Sequence, residues 1–271
     1  MRLHWVRETT LALGFGSTGQ RLRRADAIVV SIPKSGRTWL RVFLRHYTSG
    51  LAGLPFALDP REEEYDVAPR IEFTHDIWEN RTARRVLHRI TGRHLIPRRQ
   101  RDRARIVLVV RDLRDLMVSL YFELTKRGFK HGPLFEGTPG EMLRDPRFGV
   151  QAAVDTLNQW LSEWGDSGRC YVWSYEECRA DPERVFREAL EFLGFDPIDG
   201  ELLRESIEFA SFRSMKKLER SGQVDGRVLR PGDPEDPDSY KVRRGVVGGF
   251  VDYLEEADIA FIESVSSELR L

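Results

Sequence analysis

The chain has 271 residues, 41% of them hydrophobic and 32% charged, enough to bury one large core. Its 43 Lys and Arg balance 43 Asp and Glu, which excludes wholesale coating of a polyanion and leaves anion chemistry to local charge. Six Trp, seven Tyr and 15 Phe exclude an intrinsically disordered chain.

In chain order, the N-terminal run Leu11–Gly16 is too short and glycine-rich for a signal peptide. Ala27–Ile32 (AIVVSI) is a β-branched run bounded by Pro33 and Gly36, which predicts a buried strand. Thr38–Tyr47 is apolar on nearly every side and predicts a buried helix. Residues 59–66 hold five acids against one arginine and predict a solvated loop. Ile71–Thr74 is a short strand candidate. Residues 81–105 carry ten arginines against the single acid Asp102. Within them Val86, Leu87 and Ile90 predict the apolar stripe of a short helix whose other faces are basic and solvated.

Ile106–Val110 (IVLVV) is the strongest strand signal. The helix after it opens at Asp112, an N-cap residue type. Gln151–Trp164 has helical apolar spacing, Cys170–Trp173 predicts another strand, and Pro182–Leu193 a helix closed by Gly194. This alternation predicts an α/β fold: a single domain with a central parallel sheet flanked by helices. The domain fills residues 1–271, with its core at about 27–265 and an N-terminal extension over 1–24. Prolines and acids break the pattern after residue 220, and 220–245 reads as a flexible lid. The cysteines, Cys170 and Cys178, suit two reduced thiols in a cytoplasmic protein better than a disulfide framework. No stretch approaches the roughly 20 apolar residues of a membrane span.

The segment with most chemistry is Ser31–Leu40, SIPKSGRTWL. A buried strand runs through a tight loop directly into a helix. The helix start leaves about four N–H groups unpartnered at the positive end of its dipole, a ready anion site. Gly36 allows close backbone approach, and Thr38 offers a hydroxyl. Lys34 stands out because only six of the 43 basic residues are lysine; it supplies a compact, mobile charge. The loop is P-loop-like without matching the ATP-type pattern, in which the lysine follows the last glycine. The strand IVLVV also ends in Arg111, where a Mg²⁺-binding protein would have an acid. Arg111 invites a phosphate, and Ser119, two turns into the next helix, falls on its side.

Together these residues resemble the cytosolic-type sulfotransferases. That family moves a sulfuryl group from 3′-phosphoadenosine 5′-phosphosulfate (PAPS) to an acceptor hydroxyl or amine. Pro33–Leu40 is similar to the family's 5′-phosphosulfate loop, and Arg111–Asp115 with Ser119 to its 3′-phosphate motif. Tyr175-Glu176, Ser211–Lys217 and Arg243–Gly248 resemble, in the family's order, its tyrosine-acid pair, adenine-side segment and closing Arg-Lys-Gly motif.

The resemblance implies PAPS as co-substrate, 3′-phosphoadenosine 5′-phosphate (PAP) as product, a small-molecule or glycan-like acceptor, and no metal. Lys34 would stabilise charge on the leaving phosphate, with Ser35, Gly36, Arg37 and Thr38 forming the 5′-phosphate loop. Trp39, Tyr175 and Phe212 would flank the adenine. Arg111, Ser119, Arg243, Arg244 and Gly245 would hold the 3′-phosphate. The base falls to a histidine, since imidazole is substantially neutral at pH 7. Among His4, His46, His75, His88, His94 and His131, the choice is His75. It follows the strand Ile71–Thr74 at a crevice-forming end and matches the family's Thr-His. His46, in the buried helix, is the competitor.

Four departures stand out: Phe73 where the family often has lysine, Arg37 for a small polar residue, Phe250 near the family's tryptophan after the lid, and a long stretch between His75 and Arg111. Two rival readings are a metal-dependent P-loop nucleotide kinase and a non-catalytic nucleotide or polyanion-binding protein using the 81–105 arginines. The preferred reading expects no nucleic-acid partner.

Overall fold

The structure is a computed structural model that describes residues 17–127, 132–222 and 228–270. Helix α1 (Ser17–Arg24) leads into strand β1 (Ala27–Ser31), then α2 (Arg37–Leu51) and strand β2 (Ile71–Thr74). Three short helices follow, α3 (Asp76–Thr82), α4 (Val86–Ile90) and α5 (Arg98–Arg101). Strand β3 (Arg105–Val110) precedes α6 (Leu113–Lys126), α7 (Pro139–Leu143) and α8 (Val150–Trp164). After β4 (Cys170–Ser174) come α9 (Tyr175–Ala180), α10 (Pro182–Leu193), α11 (Gly200–Phe209), α12 (Phe212–Ser221) and finally α13 (Glu256–Ser266).

The four strands form one parallel sheet in the order β2-β1-β3-β4, the fold expected from the alternation. The two central strands are apolar on both faces, as a sheet covered on both sides requires. Ile28 and Val30 of β1 join Ile106, Leu108 and Val110 of β3 in one core, with Leu116, Leu157, Trp160 and Trp164 from α6 and α8. Ala27 and Val29 join Val107 and Val109 in the other, with Phe43, Tyr47, Phe186 and Leu190 from α2 and α10. Since every strand runs the same way, β1, β2 and β3 end together, and the segments following them form one crevice.

Several boundaries and contacts differ from the sequence reading. Helix α2 extends to Leu51, beyond Tyr47. The acidic stretch is not a free loop: it forms a 3₁₀ turn, Glu62–Asp66, whose Glu64 is buried and accepts a 2.7 Å bond from Thr48 Oγ1. Helix α4 forms, but Val86, Leu87 and Ile90 are exposed, with five residues too few to fold a face onto the core. Several arginines of the run have partners of their own within the fold. Arg81 reaches Asp155 at 3.8 Å, Arg101 pairs with Glu163, and Arg105 donates to the Leu193 carbonyl at 2.8 Å. The segment after α12 carries the buried residues Leu229 and Ser239. The lid expected over 220–245 falls partly on residues 223–227, and the N-terminal extension mostly on 1–16; both lie outside the described residues. Cys170 and Cys178 are both free thiols.

Candidate active site

The loop Ile32–Gly36 is shaped by two unusual backbone positions. Lys34 has φ 77° and Gly36 has φ 106°. A left-handed conformation costs an L-residue roughly 1–2 kcal/mol, and local bonds offset this at Lys34. Ser35 Oγ donates to the Ile32 carbonyl at 3.0 Å, and Arg111 Nη1 donates to the Lys34 carbonyl at 3.2 Å. At Gly36 a side chain has no room, because a Cβ would stand 2.8 Å from the Tyr175 ring. Gly36 also opens α2 without any side-chain cap, so the first-turn N–H groups face the crevice unsatisfied by side chains.

Residues from separate elements converge on this helix start. One cavity is lined by Lys34, Gly36, Arg37, Thr38, Trp39, His75, Arg111, Ser119, Tyr175, Phe212, Arg243, Arg244 and Gly245, among others. These are the nominated site residues with one exception, since Ser35 is buried beneath the loop. Arg111 lies with its guanidinium 4.4 Å from the Tyr175 ring centroid. Its Nε and the Trp39 Nε1 are buried donors without a hydrogen-bond partner among the described residues. Such orphaned donors in a cationic cavity suit an anionic, hydrogen-bonding ligand. Trp39 is held edge-on by Trp173, Tyr175 and Phe186, at centroid distances of 5.7, 5.6 and 5.6 Å.

The far wall comes from residues 241–250. Asp115 on α6 is buried and accepts bonds from Gly248 N at 2.7 Å and Phe250 N at 3.0 Å. On α12, Glu219 accepts from Lys241 N at 2.6 Å and Val242 N at 2.8 Å. These two carboxylates fix the segment bearing Arg243, Arg244 and Gly245. Arg243 and Arg244 both donate to the Tyr253 hydroxyl, at 2.6 and 3.1 Å. Gly245 has φ 64°, and a Cβ there would lie 2.4 Å from the Phe212 ring.

His75 follows β2 and lies close to the end of β1. Its Nδ1 is 2.6 Å from the Ser31 carbonyl oxygen. A carbonyl only accepts, so Nδ1 carries the proton and Nε2 keeps its lone pair. Burial, reinforced by Arg37, holds the imidazole pKa well below its ordinary value, against the Ser31 carbonyl. The ring is therefore neutral at pH 7. Asp76 secures the turn: its carboxylate accepts from Ile96 N at 2.8 Å and from Trp160 Nε1 at 2.9 Å. His46, by contrast, bonds Ser206 at 2.8 Å and stacks on Phe209 at 4.2 Å, a packing role. His88 and His94 line a second cavity, and His4 and His131 lie outside the described residues.

Charge beside His75 centres on Glu123 of α6. Its carboxylate lies 3.3 Å from Lys34 Nζ, 3.0 Å from Lys241 Nζ and 3.1 Å from Arg127 Nε. Burial alone would raise the Glu123 pKa, but Lys241, Lys34 and Arg127 pull it far below the usual carboxylate range. Burial lowers Lys34 to about 7, with Glu123 opposing. Burial, then Arg41, lowers Arg37 to about 10. The second cavity, about 450 Å³, opens on this side, with Trp78, Leu120, Leu124, Leu134 and Phe148 as apolar wall.

The sequence does not single out Glu123, Lys241 or Asp76, and Asp115 enters there only as the end of the Arg111–Asp115 motif. Only Lys241 carried a signal, as another of the scarce lysines. No group of three or more His, Cys, Asp or Glu among the described residues is arranged to hold a metal. Among them, too, no helix is long and apolar enough to cross a membrane.

Comparison with known proteins bears on this site. The sulfotransferase domain family matches residues 24–269. The chain belongs to that family. It is 24% identical to cytosolic sulfotransferase 17 of Arabidopsis thaliana over 92% of this chain and 75% of that protein. It is 25% identical to 3-alpha-hydroxysteroid sulfotransferase of Cavia porcellus, covering 90% and 83% of the two chains. The fold resembles that of mouse sulfotransferase SULT7A1 complexed with PAP. The TM-score is 0.63 at 18% identity, covering 98% of this chain and 90% of that one. Retinol dehydratase in complex with androsterone and PAP is similar at TM-score 0.63 and 16% identity, over 91% and 82%.

Proposed function

We propose that this sulfotransferase takes PAPS in the cavity at the start of α2 and transfers its sulfuryl group to a small-molecule hydroxyl, with His75 as base. One observation carries the reading: residues from separate chain segments line one cavity at the strand ends, and His75 reaches both it and the second cavity beside it. Uncapped N–H groups of α2 and Lys34 suit the 5′-phosphosulfate. Arg111, Ser119, Arg243 and Arg244 suit the 3′-phosphate, and Trp39, Tyr175 and Phe212 the base.

The reaction is an in-line displacement. His75 Nε2 takes the acceptor proton while the acceptor oxygen attacks sulfur. The bond from sulfur to the bridging oxygen breaks, and its electron pair stays on the 5′-phosphate, where Lys34 and the loop N–H groups offset the charge. The tautomer set by the Ser31 carbonyl and the neutrality imposed by burial suit this step. The apolar wall of the second cavity favours an acceptor with an apolar body, phenol-like or alcohol-like. PAPS enters this reaction as a substrate, and each step is assigned to this chain's own residues.

The test is transfer of radiolabelled sulfate from PAPS across phenols, alcohols, amines and sugars. Label appearing in an acceptor, and lost in His75→Ala, is the expected result. No transfer above the protein-free control across that panel would reject the reading.

A further inference from the structure

Among the described residues, the two cavities share only two lining residues, His75 and Lys241. A group passing from a nucleotide in one cavity to an acceptor in the other passes beside these side chains. We propose that Lys241 is a catalytic residue of the transfer, its ammonium hydrogen-bonding the non-bridging oxygens of the sulfuryl group as sulfur moves from one oxygen to the other. This rests on the sulfotransferase reading above and extends it to a residue outside the nominated set.

The position of Lys241 is fixed from both ends. Its backbone N–H donates to buried Glu219, its carbonyl accepts from Lys34 Nζ at 3.2 Å, and its own Nζ donates to Glu123 Oε1 at 3.0 Å. Lys34, Lys241 and Arg127 converge on the single carboxylate of Glu123. Arg127 has a second acid, Glu219, at 3.4 Å, which leaves the two lysines sharing Glu123. Unbalanced buried positive charge is costly until an anion joins it. A sulfuryl group between Lys34 and Lys241 supplies that anion. The assignment also accounts for Phe73, which carries no charge and packs beside the Arg41 and Arg45 guanidinium groups, at 5.4 and 5.8 Å. The second cation therefore comes from the far wall.

In the step itself Lys241 neither gains nor loses a proton. The acceptor O–H proton passes to His75, the O–S bond forms, and the electron pair of the breaking S–O bond leaves with PAP. Two roles can be separated: contact with the sulfuryl group, or simple neutralisation of Glu123. Single-turnover release of labelled sulfuryl from PAPS, to 2-naphthol or to water, distinguishes them alongside calorimetry with PAP, which lacks that group. Lys241→Met should slow release about 100-fold while PAP affinity changes less than threefold, and Lys241→Arg should recover part of the rate. In the double variant Lys241→Met/Glu123→Gln the unpaired carboxylate is gone, and the rate should stay low. Near wild-type release in Lys241→Met, or recovery in the double variant, would overturn the catalytic role and leave the sulfotransferase reading intact. A wild-type protein that binds PAP no better than ADP would instead overturn that reading.

Discussion

The two cavities that His75 lines, the proposed nucleotide side and the proposed acceptor side, are built in different ways. The nucleotide side uses short contiguous runs, 33–40, 111–119 and 243–248, and leans on backbone groups: a helix start without a cap and glycines where a Cβ would collide with Tyr175 or Phe212. The acceptor side gathers single side chains from α3, α4, α6 and the loops around them. Backbone recognition suits a ligand that never changes, and scattered side chains can be exchanged without disturbing the sheet. The nucleotide side should therefore respond sharply to small changes, the acceptor side gradually.

The largest expected effect lies on the boundary. His75→Ala should lower transfer about 1,000-fold, within the span of general-base contributions, and leave PAP affinity within threefold in calorimetry. A parallel loss of PAP affinity would mean that His75 belongs to the nucleotide side alone. Next comes Arg111→Ala, which removes a charged donor worth about 1.5–3 kcal/mol and should weaken PAP at least tenfold while leaving ADP little changed. Equal losses for both nucleotides would break the assignment of Arg111 to the 3′-phosphate.

Gly245→Ala should weaken PAP roughly tenfold, because the new Cβ meets Phe212 at 2.4 Å and the residue has φ 64°. The acceptor side gives the smallest response. Leu134→Ala, tested by initial rates with 2-naphthol, should raise the acceptor KM several-fold at about 0.8 kcal/mol per lost CH₂ contact, with PAP affinity unchanged.

The comparison also has a pH signature. In the free protein Lys34 is lowered to about 7, so above pH 7 the ammonium must be regained as the anionic nucleotide binds. PAP affinity should fall as pH rises from 7 to 9, by up to tenfold per unit. Calorimetry in buffers of different ionisation enthalpy should register proton uptake. His75 is lowered as well: its pKa lies well below the ordinary imidazole value. The proposed base stays neutral as pH falls through 6.5, and the acid limb of the rate profile should lie below that point.

The same division decides what could be read from the sequence. The parallel sheet was legible because β1 and β3 are apolar on both faces, a pattern visible without neighbours. Asp112 as cap and Gly194 as helix stop were legible because each acts within a few residues; in the structure Asp112 accepts from Arg114 N at 2.8 Å, and Gly194 has φ 93°. Helix α4 shows the limit: Val86, Leu87 and Ile90 have helical spacing, but spacing does not say that a core lies opposite. The acidic run predicts a solvated Glu64, whereas Thr48, 16 residues away in the chain, holds it inside. Glu123 and Lys241 lie 118 positions apart. No local pattern marks such a pair, and its meaning appears only once the sheet brings α6 and the far wall together.

The central claim is that one cavity is shaped for an adenosine nucleotide carrying separate 3′ and 5′ phosphates. Parallel calorimetric titrations of the wild-type protein with PAP and with ADP test it most directly. The account predicts one site that binds PAP at least tenfold more tightly than ADP; equal affinities, or stronger binding of ADP, would contradict it.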